Sequence, residues 1–149
     1  MPLLSSVALL APLLFHYEGE RRPWPAILES LGFSPGKGGI QVLSGDVNPA
    51  AIDAGAVVIV EGAAEPLGIR ASGSKLTPVR NIVDAHNPKL QIVWEKAVSL
   101  ASYELPAGAQ VFARERWQGL PVMAGIRRGA GAVLWLAASP GEKATSGFP

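Results

Sequence analysis

His16, Tyr17, Glu18, Glu20, Arg21, Arg22 and Trp24 form the densest run of chemically able side chains in this sequence. Their types suit recognition of a polar ligand: carboxylates beside guanidinium groups, with an indole able to stack on a sugar face. Asp46 and Glu61 each follow an apolar run, as this cluster does. If those runs are neighbouring parallel strands, all these groups lie beyond strand carboxyl ends, where open α/β sheets bind ligands. The expected site is therefore His16, Glu18, Arg21, Arg22, Trp24, Asp46 and Glu61, taking a small polar or carbohydrate ligand. A solvated turn with surface ion pairs and a half-buried Trp is the competing reading.

Several chemistries are excluded or left without support. The chain has no cysteine, which removes thiol nucleophiles, disulfides and thiolate metal sites. His16, Glu18, Asp46, Glu61 and His86 are of metal-ligating type, yet no His-x-x-x-His or Glu-x-x-His spacing joins them, and no metal is expected. Gly36-Lys-Gly-Gly39 has neither the Walker nor the dinucleotide spacing and precedes a strand, so it reads as a flexible connection. No cofactor is expected. Ser72-Gly-Ser-Lys75 follows no strand and makes no nucleophile elbow, so no catalytic residue is assigned. Thirteen basic side chains balance 12 acidic ones, a net charge of +1 that gives no field for steering nucleic acid. Arg114, Arg116, Arg127 and Arg128 with Trp117 are the one basic and aromatic concentration. Glu115 interrupts it, and structural ion pairing on a hairpin face is expected there.

The elements that would position these groups are short, as 17 glycines and 13 prolines require. Residues 12–18 read as a strand. Pro25 to Leu31 reads as a helix stopped by Gly32, and 33–39 as a loop. Ile40 to Leu43 is a strand. Asp46 or Asn48 would cap a brief helical turn over 49–54. Ala56 to Val60 is continuously apolar, as in a strand covered on both faces. This order predicts a parallel sheet with right-handed crossovers. Beyond it, 61–77 reads as a long surface loop and 80–84 as helical or extended. Strands follow at 90–94, 110–113, 121–126 and 132–137, the last two as a hairpin, with Trp94 and Trp135 in the core.

One domain over residues 12–141 is predicted, with an apolar segment at 1–11 and an unstructured tail at 142–149 lacking a closing helix, the pattern of a shortened chain. Residues 3–15 have the length of a signal core but no preceding Lys or Arg, and are too short to span a bilayer. They are read as part of the fold, with no membrane span and a cytoplasmic location.

Glu61-Gly62 after a buried strand, Arg114-Glu-Arg-Trp117, Pro121-Val-Met-Ala-Gly125 and Arg127-Arg-Gly-Ala-Gly-Ala-Val-Leu-Trp-Leu136 resemble the class I glutamine-amidotransferase-like superfamily, over about residues 12–140. The likeness is to its non-catalytic branches found beside carbohydrate-active enzymes. It implies a three-layer, flavodoxin-like α/β fold with a mainly parallel sheet and a C-terminal antiparallel hairpin. The family's Cys, its His-x-Glu and the elbow that presents the nucleophile are all missing here. A non-catalytic binding or interaction module accessory to carbohydrate processing is therefore expected, leaning away from an enzyme. The alternatives are a small hydrolase using Glu18, Asp46 and Glu61, with or without a metal, and a structural piece whose edge strands need a protein partner, a second copy or missing C-terminal residues.

Overall fold

The computed structural model describes residues 13–19, 24–37, 39–44 and 47–138. Strand β1 (Leu13–Glu18) leads to helix α1 (Trp24–Ser30), the three-residue strand β2 (Phe33–Pro35) and strand β3 (Ile40–Ser44). Helix α2 (Pro49–Asp53) and strand β4 (Val57–Glu61) follow. A 3-10 turn (Glu65–Leu67) then precedes β5 (Arg70–Asp84), β6 (Gln91–Glu104), β7 (Gln110–Glu115), β8 (Pro121–Arg128) and β9 (Gly131–Leu136).

These strands make one nine-stranded sheet in the order β2-β1-β3-β4-β9-β8-β7-β5-β6. The joints from β2 to β9 are parallel and those from β9 to β6 antiparallel. The expectation of a three-layer, mainly parallel flavodoxin-like domain is thereby corrected. The sheet is mixed, and the described residues include two α-helices, of seven and five residues. The physical reason is local. Residues 61–77, read as a loop, are in part the start of a 15-residue strand whose Gly/Ser/Ala composition carries no alternation. Pairing with β6 makes it a strand, as tertiary contacts override weak propensity.

Burial explains why few helices suffice. One face of the parallel half packs Phe15, Val42 and Ile59 under Trp24, Ile27 and Leu28 of α1. The other presents Val58, Val60, Val133 and Trp135 to Ile52 of α2, and also to Leu67, Ile69, Tyr103 and Leu105 from around the base of the β5–β6 hairpin. With α2, these residues at and beside the hairpin base cover the face that a second helical layer would cover in a flavodoxin-like fold. Tyr103 meets Trp135 edge to face, with centroids 5.2 Å apart. Trp94 and Trp135 are both core residues, as expected from their apolar runs. Each fully buried Val or Ile in these clusters contributes about 1.5–3 kcal/mol over leaving it exposed.

Several turns are specified residue by residue. The Asn48 side chain accepts from Ala50 N at 3.1 Å and caps α2, which settles between the two cap candidates. Gly32, with φ of 94°, ends α1. In the 84–87 turn the Asp84 carboxylate accepts from Asn87 N and His86 N, and these two bonds hold its carboxyl below the ordinary aspartate range. The 36–39 link carries the chain from one side of β1 to the other. A Cβ on Gly39 would overlap the Leu14 carbonyl, so this glycine-rich stretch is a tight crossing over β1. Gly39 serves close backbone approach.

Candidate functional site

The parallel strands end together at Glu18 of β1, Ser44 of β3 and Glu61 of β4, as the sequence predicts. Side-chain alternation then divides the groups they carry. Phe15 and Tyr17 face α1, so His16 and Glu18 point to the opposite face. Glu18 lies in register with Leu43 and, one strand further, Val58. Glu61 shares its face with Ile59, beneath α1. The Glu18 and Glu61 carboxylates therefore lie on opposite sides of the sheet.

Each is engaged locally. His16 Nε2 lies 3.1 Å from Glu18 Oε1, with both side chains about half exposed at 54% and 55%. Such an exposed pair contributes little stability, on the order of 0–1 kcal/mol. Trp24 donates from Nε1 to Glu61 Oε1 at 3.1 Å. At 4% exposure, Trp24 offers no open ring face to a sugar; it anchors the start of α1 to the end of β4. Arg21, Arg22 and Asp46 lie outside the described residues. His86 sits in the 84–87 turn, away from these strand ends. Among the described residues, no group of three His, Cys, Asp or Glu side chains is placed to hold a metal.

Beside β1 an open groove of about 750 Å³ runs between His16, Tyr17, Pro25, Glu29 and Lys37. It carries one carboxylate and one ammonium at its rim, suited to a polar solute. His16 lines it, whereas Glu18 and Glu61 do not.

Structural ion pairing is expected among Arg114, Arg116, Arg127 and Arg128, and the Arg128–Asp53 pair fits it. Arg114 donates from Nη1 to Gly119 O at 3.0 Å, and Arg128 pairs with Asp53 of α2 at 3.0 Å. Arg116 instead donates from Nη1 to Gln91 Oε1 at 2.6 Å and lies over the Trp117 ring, 5.6 Å from its centroid. Trp117 itself is 73% exposed. Its isolation between Arg116 and Gln118, outside any apolar run, was the signal that could have marked it as a surface aromatic.

No family model matches the sequence, and a search of curated proteins finds no match. Among solved structures the chain is similar to an exo-β-1,4-mannosidase from Opitutaceae bacterium strain TAV5. The TM-score is 0.54 at 14% identity, over 91% of this chain and 33% of that one. A β-galactosidase from Bacillus circulans sp. alkalophilus gives a TM-score of 0.44 at 14% identity, over 68% of this chain and 20% of that one, a likeness too slight to argue from. Both neighbours are carbohydrate-active enzymes. This chain spans about a third of the mannosidase's length, and at 14% identity the likeness is one of fold. No helix among the described residues is long and apolar enough to cross a membrane.

Proposed function

We propose that this chain is a non-catalytic binding or interaction module of a carbohydrate-processing protein, on an amidotransferase-like ancestry that has lost its nucleophile. The observation that carries the reading is the fold likeness, which takes in nine-tenths of this chain and a third of an exo-β-1,4-mannosidase. A piece of that proportion is the size of an accessory domain, and function belongs to the site rather than to the fold. The ancestry draws its support from the late Arg-Gly-x-Gly hairpin and from the parallel run ending at Glu61.

The geometry also weakens the hydrolase alternative. Glycoside hydrolysis needs two carboxyl groups flanking one bond, roughly 5–10 Å apart. Glu18 and Glu61 stand on opposite faces, and Glu61 already accepts from Trp24. Purified chain incubated with 4-nitrophenyl β-mannoside, β-1,4-mannohexaose or glutamine is expected to give no turnover above a buffer blank. Turnover that disappears in Glu18→Gln or Glu61→Gln would overturn the non-catalytic reading.

A further inference from the structure

Trp117 is the most exposed of the large apolar side chains among the described residues. An indole left in water is unfavourable, and this one is held there by a dedicated turn. Glu115, only 5% exposed, accepts from Trp117 N at 3.0 Å and also from Gln118 N. Glu115 N donates to Leu120 O and Gly119 N to Glu115 O, while Gly119 takes a φ of 72°. Arg116 N donates to Asn81 O of β5 at 3.1 Å. The backbone under the indole is therefore tied to the turn itself and to the neighbouring strand.

The polar groups around the ring are equally fixed. Gln91 Oε1 accepts from both Arg116 Nη1 and Asn81 Nδ2, at 2.6 and 3.1 Å. With the amide oxygen doubly engaged, the Gln91 Nε2 donors point away from it, and Gln91 is exposed. The Arg116 guanidinium uses one nitrogen on Gln91 and lies against one face of the indole. Its other donors have no partner among the described residues. Asn81 Oδ1, on the same network, is buried with no hydrogen-bond partner among the described residues. The result is a largely exposed indole on a tied turn, with a guanidinium over its ring and the exposed Gln91 amide hydrogen-bonded to that guanidinium.

We infer that Trp117, Arg116 and Gln91 form a stacking site for a β-linked hexopyranose oligosaccharide. Such a sugar presents an apolar C–H face to an indole and a rim of hydroxyls to amide and guanidinium donors. A nucleic acid would need a basic surround to draw its phosphates, which a net charge of +1 does not provide. The site lies in the antiparallel half, five strand spacings or roughly 24 Å from β1, and so is separate from the His16 groove. This inference rests on the carbohydrate reading above and gives it a ligand class and a location.

Calorimetric titration of the purified chain with β-1,4-mannohexaose and with cellohexaose tests it. Binding of at least one is expected, weakened about tenfold or more by Trp117→Ala, weakened less by Arg116→Ala, and largely kept by Trp117→Phe. The exposed position of Trp117 lets these variants fold, and an unchanged far-ultraviolet circular dichroism spectrum checks that. If the wild type binds and Trp117→Ala binds equally well, this site is wrong while the module reading stands. If the wild type binds neither sugar, the stacking site falls and so does the sugar-binding form of the module reading, whereas the non-catalytic reading falls only on turnover.

Discussion

Glu115 illustrates how a single side chain sets the local surface. A carboxylate at 5% exposure forgoes most of its hydration, and the Trp117 and Gln118 amides replace it. Glu115→Ala strands two backbone donors and is expected to cost about 1–3 kcal/mol. Glu115→Gln retains one acceptor and is expected to cost less. Urea unfolding midpoints read this directly, and an alanine variant as stable as the wild type would refute the account. In the sequence, Glu115 stands between two arginines and reads as a surface ion pair. Its actual partners are main-chain groups two and three residues on, which residue types do not advertise. Trp24 misleads for a related reason. Its charged and proline-rich neighbours suggest an open ring, but α1 lies across Phe15 and Val42 and takes the indole into the core. Trp94 and Trp135, embedded in apolar runs, were legible because their neighbours share their burial.

At the scale of elements, legibility follows the strength of each segment's own pattern. The strands β1, β3, β4, β8 and β9 and the helix α1 carry apolar runs or helical spacing, and all appear close to their expected bounds. The strand β2 is three residues ending in proline and exists because β1 offers it an edge. The crossing that follows it yields a sharp contrast between two glycines. The nearest atoms to a Cβ on Gly36 belong to the tip of Leu14, a flexible side chain, at 3.2 Å. On Gly39 the nearest atoms are the Leu14 carbonyl itself, which cannot move without breaking β1 pairing. Gly36→Ala is expected to change stability by about 1 kcal/mol or less, and Gly39→Ala to destabilise by roughly 3 kcal/mol or more. Thermal unfolding of the two variants side by side distinguishes a crossing from a loose linker, since a linker would tolerate both. The strand β5 was the least legible long element. Its register with β6 shifts between Ala71 and Leu76 and again between Val79 and Asn81. At the second shift Arg80 donates from Nε to Trp94 O at 2.8 Å, a side chain standing in for the ladder.

On the scale of the whole molecule, the parallel half was foreseeable as far as Val60, and the antiparallel half outweighs it for a topological reason. A parallel sheet needs long crossovers, whereas hairpins join strands through a few residues, and the chain beyond residue 61 is built from hairpins. Protection against hydrogen exchange should follow this layout. Amides of β4, β8 and β9, paired on both sides and backed by buried Val58, Val60 and Trp135, are expected to exchange only through global unfolding. Those of β2 and of the Ser72–Lys75 irregularity should exchange orders of magnitude sooner. Exchange followed by mass spectrometry checks the ranking, and equal rates across the sheet would contradict it. The seam between the two halves is β9, parallel to β4 on one side and antiparallel to β8 on the other. It is the last of the nine strands to be synthesised, yet it sits at the middle of the sheet. During translation β1 to β4 must therefore wait, with the outer edge of β4 unpaired, until more than seventy further residues separating Val57 from Ala132 have emerged. Such distant pairing slows folding, and the waiting half is the stage at which a chaperone would be most needed.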